Sequence, residues 1–217
     1  MIPALAFTGF HNVGKTTLAR RVVSVLRKRG YRVGVVKSTK HRDVAVEPPH
    51  KDTALYRRDG VEQVVLMEPE RAVCFWEERP PLEEVIFHQL KRCDLVVCEG
   101  FKGSTLPKIE VVGRASDIPK IVEDREGLLA LVWKEPVEGF RTFSPQDVDS
   151  LADFIEGMFL EDGWAMLLVD GALVPMKPFV EKMVASTVTA MVGNLRGGED
   201  ASRIDLLIKV PGKGRRS

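Results

Sequence analysis

The chain has 217 residues, which suits one domain of ordinary size with or without a small appendage. Hydrophobic residues make up 44% and charged residues 29%, which excludes a disordered chain and allows a single core that folds without staples. The formal net charge of +1 excludes a generic polyanion binder, so no nucleic-acid partner is expected.

Ile2–Phe7 is short and apolar and is followed by Gly9, the pattern of a buried strand. Lys15–Lys28 predicts a helix, with Leu18, Val22, Val23 and Leu26 on one side. It stops at "RKRG", where cations in the last turn and Gly30 beyond them both favour termination. "YRVGVVK" is a second strand. The polar stretch "STKHRDVAVEPPHKD" follows, long enough to be a functional loop. Thr53–Gly60 reads as a short helix, and "EQVVLMEPERAVCFWEE" as two strands joined around Pro69 and Glu70. Leu82–Arg92 predicts an amphipathic helix. "DLVVCEG", "PKIEVVG" and "LLALVW" predict strands, and Gln146–Phe159 a helix capped by Ser144 ahead of Pro145. Strands alternating with helices to about residue 160 imply an α/β fold of three layers, its sheet mostly parallel. The continuously apolar "DLVVC" and "LLALVW" belong in its buried centre.

After Gly163 the pattern changes. "WAMLLVDGALVPM" predicts a hairpin turning at Asp170-Gly171. Phe179–Leu195 predicts a helix with Val180, Val184, Val188, Met191 and Leu195 on one stripe, and "RIDLLIKV" a closing strand. The expected division is a main domain over residues 1–162 and a small ββαβ appendage over 163–217, ending in the basic tail "GKGRRS". There is no internal repeat. The apolar run at the start is too short to span a membrane and no charged leader precedes it, so no membrane partner is expected. Cys74, Cys93 and Cys98 form no close-set pairs, which argues for a reducing compartment; the expected location is the cytoplasm. Cys93 and Cys98 flank a predicted buried strand and read as small core residues.

Gly9, four residues, then Gly14, Lys15 and Thr16 match the phosphate-binding pattern known as the P-loop, between a strand and a helix as that pattern requires. The two glycines let the backbone curl and turn its N–H groups inward, and the following helix aims its positive end at the same anion. The candidate nucleotide-binding residues are Gly9, His11, Asn12, Val13, Gly14, Lys15, Thr16 and Thr17. Lys15 is placed to reach the β- and γ-phosphates and the Thr16 hydroxyl to ligate Mg²⁺. Phe10 stands where ATPases that dimerise face to face often carry a second lysine.

A carboxylate is needed beside that cation. Glu99 ends the apolar run "DLVVCEG", at the strand end where ligands bind in such sheets. Asp52 in "HKDT" is a second candidate, and it suits a helix N-cap equally. His41, Asp43, Glu47 and His50 match no recognised metal-ligand pattern and read as a solvated loop. Lys37, Lys40, His41 and Arg42 follow the second strand on the phosphate side and are candidates for a second anionic ligand, with Lys102 and Lys108 able to add to them.

"GFHNVGKTTL", "RGYRVGVVK", "KDTALYRRDGVEQVVL" and "DLVVCEGFK…PKIEV" together resemble, in order and spacing, the MobB family, over about residues 1–160. That family is the adapter GTPase of molybdopterin guanine dinucleotide biosynthesis. The resemblance implies a P-loop fold, GTP and Mg²⁺ as ligands, slow hydrolysis and a homodimer. It implies two partners: the guanylyltransferase that joins GMP to molybdopterin, and molybdopterin or another phosphorylated ligand. Carried over by residue, Gly14, Lys15, Thr16 and Thr17 hold phosphate and Mg²⁺. Asp52 and Glu99 lie near the metal or the attacking water, and Lys102 sits in the "EGFK" element. The chain departs from the family in keeping only His41 after its second strand and in carrying the segment beyond Gly163.

The expected function is thus a GTP-binding adapter with weak Mg²⁺-dependent GTPase activity. Two alternatives stand beside it. A metal-chaperone GTPase would use His41, Asp43 or His50 for its cargo. A small-molecule kinase would need a lid with arginines, for which Arg57 and Arg58 are available but no lid follows. No Asn-Lys-x-Asp element follows "LLALVW"; Lys134 and Glu135 occupy that region, and Glu135 is a candidate acceptor for the guanine N1 and N2 donors.

Overall fold

The computed structural model describes residues 2–39, 55–56, 58–123 and 126–161, and beyond them 164–165, 167–169, 172–174, 176–201, 203–206 and 208. The chain divides into two compact units, Ile2–Glu161 and the part from Asp162 onward.

In the first unit a six-stranded sheet is built from β1 (Ala4–Gly9), β2 (Val33–Lys37), β5 (Leu95–Glu99), β6 (Lys108–Val111), β7 (Leu128–Val132) and β8 (Thr142–Phe143). The order is β2-β5-β1-β6-β7-β8, and every pairing is parallel. β3 (Gln63–Met67) and β4 (Ala72–Trp76) form a separate antiparallel hairpin, Met67 opposite Ala72. The alternation of a strand divides its residues between two faces. Leu5 and Phe7 of β1, Leu95 and Val97 of β5, and Ile109 and Val111 of β6 join one core with α1 (Lys15–Lys28) and α4 (Val148–Phe159). α1 contributes Leu18, Ala19, Val22 and Leu26, and α4 contributes Val148, Leu151, Ala152 and Ile155, the i, i+4 spacing of one helical stripe. Val112 and Leu131 join a second core with Ile121 of α3 (Ile118–Glu123).

β5 is fully buried from Leu95 to Cys98, and Ala130–Val132 of β7 likewise, as expected of strands flanked on both sides. Burial pushes the Cys98 thiol up to about 12 and raises Cys93 as well, so both stay protonated and unreactive near neutral pH.

Two helix boundaries in this unit differ from expectation. α2 spans Leu82–Gln89 rather than running to Arg92, because the backbone turns at Leu90 and Asp94 N–H already bonds Arg32 C=O on the way into β5. α4 begins at Val148, not Gln146. Its cap is Asp147, whose carboxylate accepts from Ser150 N–H at 3.1 Å, whereas Ser144 donates to the Gln146 side chain ahead of the helix. The start of α1, its length and its stop at Arg29-Gly30 are as read.

The second unit holds the hairpin β9 (Leu167–Val169) and β10 (Ala172–Val174), with Val169 opposite Ala172, and α5 (Pro178–Gly193), which has proline in its first turn. The expected closing strand is not formed among the described residues 203–206 and 208. Leu206 and Ile208 are exposed, and Arg203 pairs with Asp205 two residues on.

Candidate functional site

The loop between β1 and α1 lies at the centre of the sheet, where the strand order reverses on either side of β1. Ligands of open α/β sheets bind at such crevices, beyond the carboxyl ends of the strands. Gly9 has φ 145°, and a Cβ there would lie 2.5 Å from the Val111 carbonyl oxygen, so the close passage of the loop over β6 admits only glycine. Gly14 has φ 89° and is the N-cap of α1; Asn12 sits at φ 59°, a left-handed conformation that asparagine tolerates better than most residues.

α1 begins in an unusual way for a helix built only for stability. Its cap has no side-chain acceptor and its first turn contains no acid. The first N–H groups of a helix need partners, and a cation beside them costs about 0.3–1 kcal/mol. Yet Lys15 is the first helical residue. Unsatisfied donors and a lysine at a helix head are unfavourable alone and favourable once an anion docks there. The Lys15 ammonium donates to the Phe10 carbonyl, folding back over the loop.

The acidic group comes from the neighbouring strand. Thr16 donates its hydroxyl hydrogen bond to Glu99 Oε1 at the end of β5. Lys37, at the end of β2, reaches the same pair, its Nζ 3.1 Å from Glu99 Oε1 and 3.3 Å from Thr16 Oγ1. A hydroxyl and a carboxylate are the hard oxygen donors that suit Mg²⁺, which takes one or two protein ligands and fills its octahedron with phosphate oxygens and water. The donor set therefore fits that ion. His11 is exposed in the loop and Thr17 in the first turn of α1, and Val13 is half-buried against the first core. Asp52 lies outside the described residues, as do Lys40, His41, Arg42, Asp43, Glu47, His50 and Arg57. Among the described residues no group of three or more His, Cys, Asp or Glu is gathered for a metal.

The "EGFK" turn closes the other side of the loop. Gly100 N–H bonds the Phe7 carbonyl, and Phe101 adopts φ 58°, uncommon for a bulky residue and typical of backbone held under constraint near a site. Lys102 places its Nζ 5.8 Å from the Phe10 ring. Lys108 bonds the Glu126 carbonyl and, with Lys102 and Glu110, lines a small second cavity. Lys134 and Glu135 follow β7, are largely exposed and pair with each other at 3.3 Å.

Sequence reasoning missed three features. Lys37 was grouped with a second ligand, not with Thr16 and Glu99; its position in register with Glu99 across β2 and β5 becomes visible only with strand order. Phe101 carries no sequence signal for its conformation beyond the preceding glycine. Thr8 and Glu110 pair in register across β1 and β6, both buried, each with a side-chain oxygen lacking a hydrogen-bond partner among the described residues. An acid inside the apolar run "KIEV" was the available signal.

A groove of about 450 Å³ opens beside Glu99 and runs between α1 and the strands β2 and β5. Val23, Val35 and Val97 give it an apolar lining, with Arg20, Arg27 and Lys28 adding cations.

Comparison with known proteins agrees with this geometry. The family model described as molybdopterin guanine dinucleotide synthesis protein B matches residues 4–134. The molybdopterin-guanine dinucleotide biosynthesis adapter protein of Escherichia coli is 32% identical over 164 residues, covering 71% of this chain and 92% of its own length. A putative protein of the same description from Methanocaldococcus jannaschii is 28% identical, and the alignment takes in 93% of this chain and 95% of the relative. It therefore includes most of the segment after Glu161. A crystal structure of molybdopterin-guanine biosynthesis protein B superposes with a TM-score of 0.57 at 30% identity, covering 73% of this chain and 99% of that one. With a family model that spans more than half of its length and a phosphate loop facing a strand-end glutamate, the chain belongs to the MobB family.

Proposed function

We propose that the chain is a GTP-binding adapter in the synthesis of molybdopterin guanine dinucleotide, with slow Mg²⁺-dependent GTPase activity. The observation that carries the reading is the bond from Thr16 to Glu99, which joins the head of an uncapped helix to the end of a central strand. Lys15 and the N–H groups from Gly9 to Thr17 bind the phosphates. Thr16 and Glu99 hold the cation, which supplies charge neutralisation between the β- and γ-phosphates when bound. Glu99, with Asp52, orients water toward the terminal phosphate. The preference for GTP over ATP rests on the family.

The adapter role rests on the names that the relatives carry. It implies a guanylyltransferase as partner, acting in the cytoplasm, and a homodimer as the working form. No helix among the described residues is long and apolar enough to cross a membrane. The groove beside Glu99 suits molybdopterin or another phosphorylated ligand, because arginine and lysine side chains line it next to the nucleotide loop. The chain is read as two modules, residues 1–162 for nucleotide and 163–217 as an appendage. Calorimetry with GTP and ATP, each with and without Mg²⁺, tests the reading. Binding of GTP that strengthens with Mg²⁺ is expected; indifference to both nucleotides would end it.

A further inference from the structure

We propose that Lys37 is a built-in cation that holds the divalent-metal position between Thr16 and Glu99 and leaves it only when a nucleoside triphosphate arrives with the metal. The inference rests on the nucleotide reading above and extends it to a residue that this reading does not use.

Three observations converge. The first is register. Lys37 is the residue paired with Glu99 across β2 and β5, so the backbone of the sheet fixes the two side chains at neighbouring strand ends. The second is contact. The Lys37 Nζ touches the same two oxygens that the proposed function gives to Mg²⁺, at 3.1 Å from Glu99 Oε1 and 3.3 Å from Thr16 Oγ1. A compact ammonium is the side-chain group most like a hydrated metal ion in size and charge, and it sits on a flexible four-carbon stem. The third is charge. The head of α1 carries no cap and no acid, and Lys15 adds a positive charge, so Glu99 is the carboxylate that, among the described residues, contacts the head of α1 and Lys37 together. A divalent cation cannot enter beside Lys37 without strong repulsion at contact distance.

The lysine can leave. Its side chain is 56% exposed, whereas that of Glu99 is 13% exposed and stays with the strand. A triphosphate in the loop brings enough negative charge to draw the ammonium from the carboxylate, which frees the two oxygens for the metal. Metal binding is thereby made conditional on nucleotide, and the bare loop is kept from collecting stray divalent ions.

Binding of Mn²⁺ alone to the full chain, followed by electron paramagnetic resonance, tests this. Lys37→Met should bind Mn²⁺ at least tenfold more tightly than wild type in the absence of nucleotide, while Lys37→Arg should not. Lys37→Gln repeats the neutralisation with a polar side chain, in case one replacement perturbs folding. Adding Glu99→Gln to Lys37→Met should abolish the gain, which a general change in surface charge would not explain. Equal Mn²⁺ isotherms for wild type, Lys37→Met and Lys37→Gln, alongside normal GTP binding by the wild type, would overturn the lysine inference alone. Absence of GTP binding by the wild type would instead overturn the nucleotide reading and this inference with it.

Discussion

Lys15 stands at the first position of a helix whose head already carries positive charge, so its presence there weakens the fold slightly and strengthens any bound anion. Lys15→Ala should accordingly leave the melting temperature unchanged or slightly raised. The same change should weaken triphosphate binding at least tenfold, or about 1.4 kcal/mol, in a calorimetric titration. Thr16→Ala should act differently, removing mainly the Mg²⁺-dependent part of the affinity. Glu99→Gln should lower turnover more than binding, because it removes the orienting charge and keeps the shape. Of these residues the place of the loop was legible from spacing alone: Gly9 ends β1, and Gly14, Lys15 and Thr16 stand at the head of α1, as the pattern requires. Glu99 was legible as the end of an apolar strand. Lys37 was not legible as its partner, because 62 residues separate the two in sequence and only the parallel order of β2 and β5 brings them together.

At the scale of elements, a polar clasp joins the end of α1 to α4. Arg29 contacts Asp153 at 2.6 Å and Glu156 at 2.5 Å, and the Tyr31 hydroxyl donates to Glu156 at 2.6 Å. Tyr31 first, then Arg29, holds the Glu156 carboxyl below its ordinary value, and the bond to Glu156 raises the Tyr31 phenol above its own. The signs set a window. The folded-state value of Glu156 is depressed, so its stabilisation is present above the unfolded value, near 4.5, and is lost as pH falls through the lower folded value. The Tyr31 value is raised, so its stabilisation is complete below about 10 and is lost as pH rises through the higher folded value. Tyr31→Phe should cost about 1 kcal/mol near neutral pH and flatten the acid limb of a stability profile measured by urea unfolding. The clasp was hidden in the sequence because its members lie 125 residues apart. α1, β5 and β7 were legible from periodicity and continuous burial. β8 and α3 were not: two residues of strand and six of helix are too short for any period to register.

At the scale of the whole molecule, the absence of an activator should set the rate. Turnover of GTP by the purified chain is expected at roughly 10⁻⁴ to 10⁻² per second, as for GTPases acting alone, and a phosphate-release assay at saturating GTP measures it. Tens per second would contradict an adapter role. The unit ending at Glu161 has its own core, and the Escherichia coli relative aligns over 92% of its length while covering only 71% of this chain. A chain shortened after Glu161 should therefore fold and bind nucleotide. It should also lose self-association or partner binding in sedimentation, since α5 exposes Phe179, Met183 and Met191 with Leu195 just beyond it. The change of pattern near residue 163 falls beside the division of the chain into two units; the closing strand expected from the alternation in "RIDLLIKV" is not formed among the described residues 203–206 and 208, and alternation specifies a strand only when a partner edge exists. The central strand has a consequence for synthesis. β1 is made first, but its two neighbours are β5 and β6, so neither edge of it is paired before the residues of β5, Leu95–Glu99, have been added, and the second edge waits for β6. At roughly 5–20 residues per second, this leaves an apolar strand unpaired on the ribosome for on the order of ten seconds. The nucleotide loop, whose Gly9 lies against Val111, is then completed only when about half of the chain has been made, and a nascent chain cannot hold nucleotide until four of the six strands of its sheet exist.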